Sequence, residues 1–516
     1  MKVTNEDNRK NYMNELPEGL TTPDTVETSL GTLQFDDGVP TQDTADLLYD
    51  HLDLSRAVET FLVGMTAASL DGFRRGLASV GVDSSNKALL YDELMDSKPL
   101  FLTGNSSTVY VIAMLDLAKD GPTVIEVPAG TGPGVVNDAF FRNVTDLGPP
   151  GPDNGKGGRY VIYPPDYDGD YPSPGITGDW LFPFTSPTYV NLVILRGFII
   201  DHGAETSSKI YRDGFKIYPL AEASQPWQAE GTKGNPLPME FISGTGLDLN
   251  TIHSNDFHFF EELHTVLDRE PIEAIDPEMR GLYASIGIQK GKPFDPDDRM
   301  KRILTDAIKV ANGTARSLLW YEREKSEFIY EGSYWKRGYV GDDWEYLKDD
   351  GMGGRNLDAR THFFYNATVN SPAMSNHLVH AGSQYAWGYR DSGGNILDGG
   401  KDYTLHLPKD VPQERFWSVA VYDNQSRSLL RTEQRYPTKA SWRKNELLVN
   451  EKLDEYVAND DGSIDLYFGP EAPEGKEPNW IQTIPGKGWF CLFRLYNTLM
   501  PWYDHSWRLG EIELVE

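Results

Sequence analysis

The sequence predicts a mainly β, α+β fold with two antiparallel β-sandwich units and a helical insert between them. Two periodicities and the length carry that prediction. Apolar residues alternate with a period of two over 101–220 and again over 336–516, in short runs separated by Gly and Pro clusters. They recur at helical spacing over 43–100 and over 221–335. At 516 residues the chain is long enough to bury more than one sizeable core.

Taken in order, residues 1–42 are acidic and polar, punctuated by Pro, Thr and Asp, and read as an extended arm. Leu47, Leu48, Leu52, Leu54, Val58, Phe61, Leu62 and Met65 then set an apolar stripe on a helical cap. In the first sandwich, 108–115, 123–127, 160–163 and 189–200 read as strands. Within the insert, a helical segment opens with Ser254 or Asn255 as its cap ahead of Phe257, Phe260, Leu263 and Leu267. A second helix starts near Asp297 and turns Met300, Ile303, Leu304, Ala307, Ile308 and Ala311 to one side. Such faces must dock on a sheet, because each large side chain gains roughly 1.5 to 3 kcal/mol on burial. In the second sandwich 403–407, 416–422 and 464–468 alternate, and 489–495 reads as a buried strand. No internal repeat is visible.

Charge narrows the partners. With 48 basic and 78 acidic side chains the formal charge is -30, which repels a phosphate backbone and gives anionic lipid no basic cluster to attract. Nucleic acid is therefore not expected as a partner. No stretch of about 18 apolar residues occurs, so membrane insertion is not expected either. The single cysteine, Cys491, sits in an aromatic and apolar run and reads as a buried, inert thiol. Compartment stays open: periplasmic or secreted if a leader has been removed, otherwise cytoplasmic. Oligomeric state also stays open.

Most catalytic signatures are absent. There is no Gly-x-Ser-x-Gly elbow, no His-Glu-x-x-His and no dinucleotide-binding glycine pattern opening a helix. Gly151 to Lys156 imitates a phosphate loop but is one residue short, and Gly157 stands where Ser or Thr would meet magnesium. No cofactor and no metal site is assigned. His258 with Glu261 and Glu262, and His377 with His380, are spaced for one helical face, where solvated or hydrogen-bonded pairs are the ordinary outcome. Trp417, Trp480, Trp489, Tyr496, Trp502 and Trp507 could stack on a flat ligand, although a sandwich core needs such side chains anyway.

The most conspicuous segment is 146–160, in which five glycines and three prolines surround Asp146, Asp153, Lys156 and Arg159. Such a run can form neither helix nor central strand, and it shapes a loop that can approach a ligand closely. Asp146 and Glu240 are accordingly the candidate catalytic acids, with Asp256, Glu261 and Asp358 also in aromatic or Gly-rich surroundings. Asn105, Lys156, Arg159, Asp358 and Arg360 are the candidate ligand-binding groups. Asn105, Asp146, Lys156, Arg159 and Glu240 are expected to share one cleft, with a surface salt-bridge network as the competing reading.

The ordered stretches Phe101 to Tyr110, Asp146 to Pro165, Ser186 to Tyr189 and Arg196-Gly197-Phe198 resemble those of bacterial proteins carrying the domain of unknown function 1254. Gly382 to Ala386, Phe416 to Val419 with Tyr422-Asp423, and Asn479 to Thr483 resemble the domain of unknown function 1214 that follows it in those proteins. Pro238 to Phe241 and Asn255 to Leu263 match between the two. The resemblance implies two jelly-roll-like sandwiches, similar in arrangement to peptide:N-glycosidase F, and no established activity. Where the family reads Asn-Thr-Asp-Thr-x-Tyr, this chain has Asn105-Ser106-Ser107-Thr108-Val109-Tyr110 and so lacks an acid at Ser107.

Three functions follow as expectations. The first is a hydrolase or lyase acting on a glycan, glycoconjugate or polar small metabolite through acidic residues, with Lys and Arg recognising the ligand. The second is a non-catalytic ligand-binding or envelope-associated protein. The third is a metalloenzyme using His253, His258 or Glu262. Two carboxylates and a basic group converging on one pocket would favour the first.

Overall fold

The computed structural model describes residues 17–169, 181–200, 203–222, 237–441 and 456–515. The first 16 residues of the expected arm and residues 223–236 of the expected insert lie outside them. Within the arm, Thr25–Thr28, Gly31–Asp36 and Val39–Pro40 pair as a small three-stranded sheet.

The first β unit holds a six-stranded sheet in the order Glu240–Ser243, Lys87–Leu90, Val109–Asp116, Val190–Gly197, Gly134–Asp138, Asn143–Leu147. Facing it is a four-stranded sheet in the order Leu181–Thr185, Gly158–Tyr163, Thr123–Val127, Lys216–Pro219. Val109, Val111, Ala113, Leu195, Ile125, Tyr160 and Ile162 bury one cluster drawn from both sheets. In the second unit a five-stranded sheet runs Trp335–Arg337, Ser383–Gly388, Trp489–Thr498, Gln413–Asp423, Thr438–Ala440. It shares a core with the sheet Trp480–Gln482, Ile464–Gly469, Tyr403–Leu407, Ile512–Leu514, and Trp417, Trp489, Trp502 and Trp507 fill that core. Cys491 lies there too, its thiol pKa pushed up by burial.

Among the described strands, pairing is antiparallel except at three edges. Glu240–Ser243 runs parallel to Lys87–Leu90, Leu181–Thr185 to Gly158–Tyr163, and Trp480–Gln482 to Ile464–Gly469. The expectation of purely antiparallel sheets is corrected there. Each of these pairs is joined through a long connection instead of a tight turn, which lets the chain return in the same direction.

A helical layer lies between the two large sheets. It consists of α1 (Gln42–Ser79), α2 (His258–Arg269), α3 (Pro277–Ser285), α4 (Asp298–Trp320) and α5 (Leu357–Asn366). Thr41 caps α1 by accepting from the Thr44 amide at 3.3 Å, and Asp297 caps α4 from the Met300 amide at 2.7 Å. The expected Ser254 or Asn255 cap of α2 is replaced: Asp256 Oδ1 accepts from the His258 amide at 3.0 Å, while Ser254 Oγ donates to Glu262 at 2.7 Å. Gly72 and Gly76 of α1 allow the backbone of Thr251 and Asn250 to lie directly on the helix, where a Cβ would collide with their carbonyl oxygens.

Phe260, Leu263, Leu304 and Ile308 are buried in one cluster with α1, with Ile112 and Ile194 of the first large sheet, and with Tyr422 and Phe490 of the second. The central strands are consequently covered on both faces. In 109–115 the odd residues face the cluster drawn from both sheets of the first unit and Tyr110 and Ile112 face the helices, so burial is continuous where alternation was expected. No helix among the described residues is long and apolar enough to cross a membrane.

Candidate functional site

Each large sheet sets one arginine into an otherwise apolar strand, opposite a tyrosine. Arg196 pairs in register with Tyr110, and Arg494 with Tyr385. Both pairs project toward the junction of the two units. There they meet the segment that joins Phe101 to the strand at Val109, and the chain around Val369, in a cavity of about 60 Å³ lined also by Asn105, Tyr496 and Met374.

Its hydrogen bonds tie the two units together. Asn105 Nδ2 donates to Tyr496 OH at 2.6 Å and to Tyr110 OH at 3.3 Å. Arg196 Nε donates to Tyr110 OH at 3.2 Å, Arg494 Nη2 to the Thr103 carbonyl at 2.9 Å, and Tyr422 OH to the Gly104 carbonyl at 2.7 Å. Neither arginine forms an ion pair among the described residues. Arg494 is 4% exposed, and its Nη1, like Tyr385 OH, is buried without a hydrogen-bond partner. Arg196 keeps some accessible surface because it lines two cavities. Thr103 and Val369, both in the cavity wall, hold φ angles of 42° and 64°. For β-branched residues that is strained backbone, retained only where the surroundings enforce it.

Charge placement follows. Burial opposes ionisation of the Tyr110 phenol, but the Arg196 charge and hydrogen bond, with Arg494 behind them, outweigh it and hold its pKa below the ordinary tyrosine value. Tyr496 is driven upward by burial and by Tyr110. Next to the chamber a cavity of about 20 Å³ is lined by Arg196, Val369, Met374 and Asp146. Burial pushes Asp146 up to about 6, against the opposing pull of Ser371, the Ala373 backbone and the Arg196 charge. A third cavity, of about 130 Å³, shares Met374 and Tyr385 with the chamber and is lined also by Asp342, His377 and His505. Met374 thus stands at the junction of all three.

Of the residues expected in one cleft, Asn105 and Asp146 lie on adjoining cavities joined by Arg196. The others are set apart. Lys156 is exposed on the glycine-rich loop. Arg159 pairs with Glu126 at 3.0 Å, its cross-strand neighbour. Glu240 is exposed on an edge strand opposite Lys87. Asp358 pairs with Arg323 at 2.8 Å, and Arg360 lines a separate, larger cleft. The loop itself is closed by Asp153, whose carboxylate accepts from Tyr160 OH at 2.6 Å and from the Gly157 amide at 3.1 Å. Gly148 and Gly157 lie against the backbone of Gly132 and of Val127 to Ala129, where a Cβ would collide, so these glycines serve packing of the loop on its own unit. At Ser107 the amide donates to Asn105 Oδ1 at 2.9 Å and the buried hydroxyl is unpartnered, so the turn is held by Asn105 and not by the side chain at 107.

The residues considered for metal binding do not converge. His258 lies exposed against Asp256 at 3.0 Å, and Glu262 accepts from Ser254 and pairs with Arg75. His253 is pushed down to about 3 by burial, with Arg427 and Arg75 adding to the shift against the Ser254 carbonyl. His377 pairs with Asp342 at 3.0 Å and His380 with Glu414. Among the described residues no group of three or more His, Cys, Asp or Glu is placed to hold a metal ion.

Sequence reasoning missed Tyr110, Arg196, Tyr385 and Arg494 as site residues. A signal was present: an arginine directly after Leu192 to Leu195 and before Gly197, and another inside Leu492 to Leu495, breaks the pattern of a buried strand.

Comparison with solved structures places the fold. The chain is similar to the VPA0106 protein from Vibrio parahaemolyticus, with 17% identity, 90% of this chain and 100% of that one covered, and a TM-score of 0.51. An uncharacterised protein from Burkholderia cenocepacia aligns at 10% identity over 92% of this chain and 97% of that one, with a TM-score of 0.38. None of the curated proteins compared matches. A protein of unknown function family (DUF1254) matches residues 86–219 and a second (DUF1214) matches residues 382–500, so the chain pairs an N-terminal DUF1254 unit with a C-terminal DUF1214 unit.

Proposed function

We propose that the chain binds a small carboxylate-bearing ligand in the chamber between its two β units, with Arg196 and Arg494 as anchors. The observation that supports this reading is a pair of arginines with no ion-pair partner among the described residues: Arg494, buried and with an orphaned Nη1, and Arg196, half-buried in the same cavity wall. Burying an unpaired charge costs several kcal/mol, and a bound carboxylate offsets that cost through charge-assisted, bidentate hydrogen bonds. Asn105 and Tyr496 orient it, and the chamber's size restricts the occupant to a few heavy atoms. Calorimetric titration of the full chain with malonate tests the reading. Arg494→Met should weaken binding at least about tenfold while the fold is kept. Equal affinity in Arg494→Met, Arg196→Met and the parent would remove the chamber from consideration.

A second reading, a lyase, is favoured by one observation. Tyr110 and Asp146 flank the same arginine with pKa values displaced in opposite senses, a pattern associated with assigned base and acid. In it the Tyr110 oxygen takes a proton from a carbon beside the anchored carboxylate, a double bond forms, and Asp146 protonates the departing group. A glycosidase of the usual kind needs a second carboxylate beside the first, and Asp146 is the one carboxylate among the described residues that line the chamber and the small cavity next to it. The jelly-roll description and the division into arm, cap, insert and two sandwiches remain parts of this proposal, whereas a glycan is too large for the chamber. Tyr110→Phe should retain malonate binding and lose any turnover that yields an unsaturated product.

A further inference from the structure

The chamber, the small cavity beside it and the outer cavity of about 130 Å³ are separate spaces, and the side chain of Met374 lines each of them. The outer cavity reaches solvent, because its wall includes the exposed His377 and His505. In the chamber wall, by contrast, Phe101, Val369, Arg494 and Tyr496 are buried. Met374 is itself half-buried and so stands between the open space and the closed one.

The backbone beneath Met374 is fixed, while its side chain is loosely held. The residue lies on the helical turn Pro372–Ser375, where its amide donates to the Ser371 carbonyl at 3.0 Å and the Asn376 amide donates to the Pro372 carbonyl at 2.9 Å. Gly382 packs so closely on this turn that a Cβ there would meet the Ala373 carbonyl oxygen at 2.6 Å. The Met374 sulfur accepts from the Tyr339 hydroxyl at 3.8 Å, and a thioether is a weak acceptor. An unbranched, freely rotating side chain is suited to filling an irregular gap of this kind. What parts the chamber from the outer cavity at this point is therefore Cγ, Sδ and Cε of Met374.

We infer that Met374 is the specificity-determining residue of the chamber, which sets how long an acid it accepts. A bare short acid fits. The same acid carrying a tail does not, because the tail needs the space that the thioether occupies. The inference rests on the chamber reading under Proposed function.

The test is calorimetry of the full chain with malonate and with butylmalonate, whose tail springs from the carbon between its carboxylates and leaves both free for Arg196 and Arg494. The parent should bind malonate at least about tenfold more tightly, since the tail overpacks a filled space. Met374→Ala vacates that space and joins the chamber to a cavity about twice its size. Butylmalonate should then bind at least about tenfold more tightly than malonate, each buried methylene being worth about fourfold. Met374→Leu conserves volume and should keep the parent's order of affinities. Met374→Val is the second truncation if Met374→Ala fails to fold, and it should bring the two affinities to within about threefold. Equal affinity for the two acids in the parent, the parent's order kept by a folded truncation, or a reversed order in Met374→Leu would overturn the inference and leave the chamber reading standing. No malonate binding by the parent would overturn both.

Discussion

The glycine-rich loop and the arginine chamber bury charged groups to the same depth and treat them in opposite ways. Asp153 in the loop is 4% exposed, and its carboxylate is met by the Tyr160 hydroxyl and the Gly157 amide. Arg494 in the chamber is also 4% exposed, yet it has no ion-pair partner among the described residues and an orphaned nitrogen. The loop is the more conspicuous in sequence, while the chamber holds the unspent binding capacity. A buried charge that the fold has already satisfied explains itself; one that it has not points outward to a ligand.

The largest expected effect breaks the chamber from below. Phe260 is fully buried in the helical layer, in the same cluster as Tyr110, Ile194 and Val369 of the chamber wall. Phe260→Asp buries an unpaired carboxylate and should cost more than about 4 kcal/mol. Loss of the cooperative melting transition is the expected readout; a parent-like melting temperature would contradict the packing.

Asp146 sharpens the comparison, because it belongs to the loop by sequence and to the chamber's neighbour by space. Its folded pKa is raised to about 6 from 3.8, chiefly by burial, so the folded chain holds the proton longer than the unfolded one. Stability from this group is full below about pH 4 and is lost as pH rises through about 6. Asp146→Asn should thus be more stable than the parent by about 3 kcal/mol near pH 7 and equal to it near pH 4. Denaturant titrations at the two pH values check this. A variant destabilised at both would place Asp146 in a structural role.

Within the loop, effects on stability should occur without effects on binding. Asp153→Ala strands the Tyr160 hydroxyl and should cost about 1–3 kcal/mol, with malonate affinity unchanged. Smallest of all, Lys156→Ala should shift stability by less than about 0.5 kcal/mol, since the side chain is exposed. A drop in malonate affinity for either variant would return the loop to the site.

These regions also show where sequence is legible. Tyr403–Leu407 and Thr123–Val127 are read to the residue because alternation and flanking turn residues agree. The start of α4 is read from Asp297, a cap with a local partner. The α2 cap is misread because Ser254 is drawn to Glu262 by a tertiary contact. Parallel edges are hidden because strand direction depends on how long connections return. In the site, Asn105 and Asp146 are legible as polar residues in unusual surroundings. Arg196 and Arg494 are not, because each looks like a single interruption of an apolar strand until the fold brings both to one chamber.

The most direct measurement is a high-resolution crystal structure of the full chain grown with sodium malonate, read at the chamber. The account predicts a malonate ion bridging Arg196 and Arg494, with Asn105 and Tyr496 in contact and the Val369 backbone unchanged. A chamber holding only water, or arginines turned away to carboxylates of the chain itself, would contradict it.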